Sequence, residues 1–321
     1  MKSPMQTPKI AIITRTKNRN LLLRRAIESV KAQSRKEYVH VILNDGGSSE
    51  ELDTLLEEAP DVQRVVIHNE TSVGLTRALN QAIRAVESEY VTILDDDDSW
   101  PSDRLEKVMD FFDKNPNTAA AVVKMDTVIE DIQNGEIIKR DQYLHPDSGD
   151  GEINLFKQCM RNYISNGIVT YRRSVYDELN GYDESLATAE DWDFGLRLLL
   201  KYDVESIQSD EPLFFYHQRP QLVDDNGNSV HAGVREQEVT VNKLRNKYLR
   251  DDLNNNKLGV GYIMNQMVFD ISNVVRIEGH TNYLADGTKQ QLEQLNATIR
   301  ELISSTLGYK IGMKVKNILN R

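Results

Sequence analysis

Residues 90–100 read YVTILDDDDSW, an apolar, β-branched run that ends on four consecutive aspartates. Such a run has the pattern of a short strand, with polar residues taking over where it stops. Three upstream stretches have the same form: Lys9–Thr14, Tyr38–Leu43 and Val62–Ile67. Helical spacing fills the gaps between them. Leu21, Leu22, Ala26, Ile27 and Val30 share one face, and Leu75, Ala78, Leu79, Ala82, Ile83 and Val86 share another. Strand alternating with helix predicts an α/β fold around a mostly parallel, doubly wound sheet, whose ligands bind beyond the carboxyl ends of the strands.

The residues at those ends are Arg15 to Arg19, Asn44-Asp45-Gly46-Gly47, Asn69 and Asp95-Asp96-Asp97-Asp98. Four adjacent carboxylates repel one another unless solvent or a cation screens them. Hard oxygen ligands at a strand end suit Mg²⁺ or Mn²⁺. The alternative is a solvated acidic turn leading into a helix that begins near Asp103. A second acidic centre, Glu190-Asp191-Trp192-Asp193, precedes the apolar positions Leu196 and Leu198–Leu200, so it also reads as a helix start. A carboxylate there has its charged form favoured by the helix dipole, so no raised pKa is expected of Asp191.

Composition narrows the classes. The chain has 321 residues, 39% hydrophobic and 28% charged, enough to bury a sizeable core. Its formal charge of -11 argues against a broad grip on nucleic-acid phosphates, so no nucleic-acid partner is expected. A single cysteine, Cys159, allows no intrachain disulfide and no cysteine-based zinc site, which fits a reducing cytoplasm. No apolar run reaches the roughly 18 residues of a membrane span, and MKSPMQTPK lacks the apolar stretch of a secretory signal. A cytoplasmic protein is expected.

TRTKNR (14–19), NDGG (44–47), VGLTRALNQAI (73–83), ILDDDDSW (93–100) and AEDWDFGLRL (189–198), in that order, resemble the GT-A glycosyltransferases of family 2, in particular bacterial cell-surface polysaccharide members. The resemblance covers about residues 9 to 230. It implies a GT-A catalytic domain over 1–230, with a mixed, largely parallel sheet flanked by helices, and a helical C-terminal segment over 231–321. It further implies an inverting enzyme that moves a sugar from a nucleoside-diphosphate donor, with uridine as the expected base, onto a glycan that is either lipid-linked or free.

Roles carried over from that resemblance fall on named positions. Asp45 matches the nucleobase contact, although Asn44 stands where many members have a second aspartate. Thr14 and Arg15 match the loop under the nucleotide, and Arg77 matches a donor-facing residue that its own context also reads as a solvated helix position. Asp95 and Asp96 are matched to the nucleotide sugar, with Asp95 on the ribose or in the metal shell, while Asp97 is matched to direct ligation of Mn²⁺ or Mg²⁺. His217 is matched to the metal or diphosphate, with Arg219 two residues on. Asp191 resembles the catalytic base, because a single displacement needs one carboxylate to take the acceptor's proton. Trp100, Asn166, Glu190 and Trp192 are expected around the acceptor or pocket, with core packing as the competing reading of the indoles and a plain turn as that of Asn166-Gly167.

Beyond residue 230 the resemblance fades. Glu236–Arg250, Gly259–Val275 and Gln290–Leu307 read as helical, and Lys310, Lys314, Lys316 and Arg321 lie among apolar residues in the tail. That tail reads either as a basic amphipathic helix on an anionic inner-leaflet surface or as a helix docked on its own chain or a second subunit of a homo-oligomer. Two other functional classes compete. A haloacid-dehalogenase-like phosphatase also places such a motif after a strand, though normally after the first, and a non-catalytic nucleotide-sugar sensor keeps Asp95 and Asp97 without requiring Asp191.

Overall fold

The structure, a computed structural model, describes residues 8–58, 63–145, 153–222, 226–228, 234–266, 289–295, 297–298 and 301. The chain divides into two compact units, Met1–Met264 and Asn265–Arg321. In the second unit the described residues 289–295, 297–298 and 301 are helical, and the basic tail from Lys310 onward lies outside the described residues.

In the first unit, β1 (Ile10–Thr16), β2 (Tyr38–Asp45), β3 (Arg64–Asn69) and β4 (Tyr90–Ile93) alternate with α1 (Asn20–Lys31), α2 (Ser49–Glu57) and α3 (Leu75–Arg84). Then follow α4 (Arg104–Lys114), β5 (Ala120–Val123), β6 (Met125–Gln133), β7 (Glu136–Leu144), α5 (Leu155–Met160), β8 (Val169–Arg172), α6 (Arg173–Glu178), α7 (Glu190–Leu199), β9 (Val204–Ile207), β10 (Phe214–Gln218) and α8 (Val234–Asn254). Seven strands form one sheet in the order β3-β2-β1-β4-β8-β5-β9, and β10-β6-β7 form a second. β1 to β4 pair in parallel, whereas β8 runs antiparallel to both β4 and β5. The architecture is therefore the mixed, largely parallel sheet that the resemblance implies, with β1 to β4 as the parallel part expected from the alternation.

Helices seal the sheet with the faces their spacing dictates. Leu22, Leu23, Ala26, Ile27 and Val30 of α1 are buried, as are Ala78, Leu79, Ala82 and Ile83 of α3. Because β1 has β2 on one side and β4 on the other, the strand order reverses at β1, and the crevice at its carboxyl end is where an open α/β sheet takes its ligand. Arg15, Thr16 and Asp95 stand there. α8 packs on α7: Leu244 and Tyr248 join Trp192, Leu196, Leu186 and Cys159 in a separate apolar cluster.

His40, in the middle of β2, is fully buried, and only one ring nitrogen has a partner: Nε2 lies 2.8 Å from Thr14 Oγ1. Burial, reinforced by Arg64, pulls its pKa down to about 3. The unfolded chain takes up this proton near pH 6.5 and the folded protein only near 3, so stability falls as pH drops through that window. The limiting slope is about 1.4 kcal/mol per pH unit. His40→Gln is expected to flatten the acid side of a plot of melting temperature against pH; parallel curves for the two proteins would exclude His40 as the cause.

Candidate active site

After Ile93 the chain makes one more ladder bond, Leu94 N–H to Ile13 O at 2.9 Å, and then turns, with Asp98 N donating to Asp95 O. Ser99 bridges to Phe215 of β10, so the aspartate run is pinned between the two sheets. Its charges are met one by one. Asp95 accepts from Arg15 Nη2 at 2.9 Å and stays partly exposed. Asp96 accepts from Thr16 Oγ1 at 2.8 Å and Arg19 Nη1 at 2.7 Å. Asp97 Oδ2 accepts from Arg19 Nη2 (2.9 Å), Arg219 Nη2 (2.5 Å) and Asn228 Nδ2 (3.3 Å). Asp98 accepts from the backbone N–H of His217 at 2.9 Å.

These environments split the four carboxyls. Burial works to raise Asp97, but Arg19 and Arg219 outweigh it and hold the group below its usual range. Burial dominates at Asp96, which is pushed up to about 7 against the pull of Arg19. Asp98 is raised well above the usual range by burial and by the charges of Asp97 and Asp95. The run is not a solvated turn: Asp96, Asp97 and Asp98 are all buried.

The second centre sits at the start of α7. Ala189 adopts a left-handed φ of 58°, and the chain leaves it with Glu190 and Asp191 as the first helical residues. Glu190 Oε1 accepts from Asn166 Nδ2 at 3.3 Å and lies 3.6 Å from Arg15 Nη1. Arg15 thereby joins the two carboxylate centres, and it also donates to Leu75 O at 3.0 Å. Burial and the neighbouring Asp191 push Glu190 up to about 7, against Arg15. Asp191 is only partly buried and accepts from its neighbour's N–H, Trp192 N, at 2.8 Å. Its pKa is raised, first by burial and further by Asp95, although hydrogen bonds from Asn162 and Trp192 oppose the shift. The helix dipole alone leads to the opposite expectation; desolvation wins.

Several expected site residues stand elsewhere. Thr14 is fully buried inside the sheet, donating to Leu94 O and meeting His40, so it has no face toward a nucleotide. Arg77 is 64% exposed, with its guanidinium 3.6 Å from Glu184, on the solvent side of α3. Trp100 is buried under Arg104, whose guanidinium lies 4.4 Å above the ring. Trp192 is buried in the α8 cluster and donates Nε1–H to Gln158 O at 2.6 Å. Both indoles are core. His217 turns its ring away from the aspartates: Nδ1 is 2.8 Å from Glu130 and Nε2 2.8 Å from Ser99 Oγ. A neutral imidazole satisfies both, donating at one nitrogen and accepting at the other, which leaves no lone pair for a metal in this arrangement. Asp45 is saturated by Asn69, Ser72 and the backbone N–H groups of Val73 and Gly74.

Among the described residues, no three His, Cys, Asp or Glu side chains converge as a ready cage for a cation. The oxygens of Asp95 and Asp97 are of the right kind, yet guanidinium groups already supply positive charge at Asp97. Arg19 and Thr16, from the Arg15 to Arg19 stretch after the first strand, and Glu130 and Asn228, which did not stand out in the sequence, complete the site. Arg19 was legible as the last residue of TRTKNR, whereas Glu130 lies in a mid-strand stretch that carries no motif.

A family model described as Glycosyl transferase family 2 matches residues 11–179, more than half of the chain. The chain belongs to glycosyltransferase family 2. Among curated relatives of this glycosyltransferase, the Escherichia coli K12 protein named for colanic acid biosynthesis as glycosyl transferase WcaA is 31% identical over 61% of this chain and 67% of its own. An uncharacterised glycosyltransferase of Haemophilus influenzae is 26% identical over 74% of this chain and 80% of its own. Solved neighbours show the fold. Staphylococcus aureus TarS 1–349 in complex with UDP-GlcNAc superposes with a TM-score of 0.55 at 20% identity, over 66% of this chain and 59% of that one. The Pyrobaculum calidifontis mannosyltransferase PcManGT, in complex with GDP-Man and Mn²⁺, gives 0.53 at 15% identity, over 78% and 68%. Among the described residues of the glycosyltransferase, no helix is long and apolar enough to cross a membrane.

Proposed function

We propose that this glycosyltransferase transfers a sugar from a nucleoside-diphosphate donor, with UDP as the nucleotide, to a glycan hydroxyl in cell-surface polysaccharide synthesis, inverting the anomeric centre with Asp191 as base. One observation carries the reading: Arg15 spans Asp95 at the end of β4 and Glu190 beside Asp191, so donor-side and acceptor-side carboxylates share one crevice. Asp191 is the partly exposed carboxylate of its pair and its raised pKa suits it to accept a proton. Arg15, Arg19 and Arg219 reach the aspartate run, where their charge offsets that of a departing diphosphate.

Mn²⁺ or Mg²⁺ belongs to the proposal through the carboxylates of Asp95 and Asp97. When bound it adds positive charge against the leaving group. Support comes from the donor chemistry of these two residues; Arg19 or Arg219 must release Asp97 for it to serve. The acceptor is a glycan, lipid-linked or free, reached from the cytoplasmic side of the membrane.

The test is a panel of UDP- and GDP-sugars incubated with the protein and Mn²⁺, with nucleotide release followed by chromatography. Slow release from one donor, lost on chelation and restored by Mn²⁺ or Mg²⁺, is the expected result. Folded protein that releases nucleotide from none of them, with or without acceptor glycans, overturns the proposal.

A further inference from the structure

Glu130 is a buried carboxylate on β6, in the three-stranded sheet rather than the one that carries the aspartate run. The register with β7 shifts between Ile129 and Glu130, an irregularity of the kind that re-aims a side chain. Its two oxygens hold three partners: Arg219 Nη1 at 2.6 Å, Arg25 Nη1 at 2.7 Å and His217 Nδ1 at 2.8 Å. Each of these partners also touches the aspartate turn. Arg219 reaches Asp97 Oδ2 with its other arm, and Arg25 reaches the Asp97 carbonyl. His217 holds Ser99 through its ring and Asp98 through its backbone N–H. Each of the three side-chain partners of Glu130 thus ends on residues 97–99.

Stability gives no reason for such an arrangement. Taking a carboxylate and two guanidinium groups out of water costs about as much as their attraction returns, and apolar side chains of equal volume often do as well or better. What the network does provide is a fixed division of each guanidinium between Glu130 and Asp97. We infer that Glu130 is a positioning residue for the donor site: by holding one arm of Arg219 and one of Arg25, it sets where their other arms and Asp97 stand when a nucleoside diphosphate arrives. This deepens the proposed function and rests on it. Without the Glu130 charge, the fully buried Arg219 keeps Asp97 as its carboxylate partner among the described residues and is expected to close on it, withdrawing both groups from the diphosphate.

The experiment is titration calorimetry with UDP and GDP in the presence of Mn²⁺, on wild-type protein, Glu130→Gln and Glu130→Asp. Glu130→Gln keeps the shape and one acceptor oxygen while removing the charge. Its dissociation constant for the preferred nucleotide should rise at least about tenfold, the scale seen for partners that orient a ligating group. Glu130→Asp restores the charge at shorter reach and should recover part of that loss. A residue that merely held the fold would lower the binding stoichiometry and leave the dissociation constant alone. Wild-type dissociation constants in folded Glu130→Gln overturn the inference; if that variant does not fold, a wild-type constant in Glu130→Asp overturns it equally. Wild-type protein that binds neither nucleotide removes the donor site itself, and the inference with it.

Discussion

Asp191→Asn is expected to leave donor affinity within about threefold of wild type and to lower transfer to the acceptor at least about a hundredfold, the usual scale for a general base. The substitution keeps the side chain's size and its capacity to accept the Trp192 N–H, so the start of α7 is preserved. What it removes is the proton acceptor. The raised pKa of Asp191, caused first by burial and then by Asp95, adds a pH arm to the test. The base form is the deprotonated one, so turnover falls as pH drops through the Asp191 pKa, and the fall begins at higher pH than for an ordinary aspartate. Asp191→Asn abolishes that limb together with the activity. Loss of donor binding in the variant would instead give Asp191 a structural or metal role. Full activity would shift suspicion to Glu190, whose pKa near 7 and contacts with Asn166 and Arg15 place it in the same crevice. The product's anomeric configuration, read from proton couplings by NMR, decides the stereochemistry: retention contradicts single displacement.

Much of this architecture was open to reading in the chain because burial leaves a periodic trace. Short β-rich runs and apolar residues at three-to-four-residue spacing gave the four strands β1 to β4 with α1 and α3 between them, and the order placed function at strand ends. Asp95 and Arg15 are at those ends, and Glu190 and Asp191 are at the helix start their acidic cluster marked. Thr14 shows where the trace fails: β1 is buried almost throughout, so its sequence does not alternate, and nothing distinguishes a Thr14 enclosed within the sheet from a Thr16 at its end that meets Asp96. Arg77 fails for a different reason, since helical spacing tells which residues share a face but not which loop covers that face. The indoles of Trp100 and Trp192 were ambiguous by chemistry, being as fit for a core as for a sugar. Glu130 was beyond reach, because its meaning comes from Arg25, His217 and Arg219, at least 87 positions away in the chain.

Asp45→Ala is expected to lower stability by about 3 kcal/mol and to weaken donor binding as a consequence, because its carboxylate organises a loop. Asn69 Nδ2 and Val73 N donate to one oxygen at 2.9 Å each, while Ser72 Oγ (2.6 Å) and Gly74 N (3.1 Å) donate to the other. Burial acts to raise its pKa, but these hydrogen bonds prevail and hold the group charged. Gly74 is the N-cap of α3 and has no side chain to cap the helix, so the carboxylate also sits favourably at that helix's positive end. The adjoining Gly46 adopts φ 82°, and a Cβ there would lie 2.5 Å from Ser72 N, so the same loop is clamped from two sides. Removing the carboxylate leaves two backbone N–H groups without their acceptor, a cost water repays only in part. Asp45→Asn discriminates loop from base: it keeps one acceptor oxygen but turns an amide toward donors, so it should destabilise less than alanine while still displacing residues 72–74. Thermal melts of the two variants, with UDP and GDP binding measured well below the melting point, separate the cases. If both melt like the wild type while nucleotide affinity collapses, Asp45 touches the base directly and the loop role is wrong.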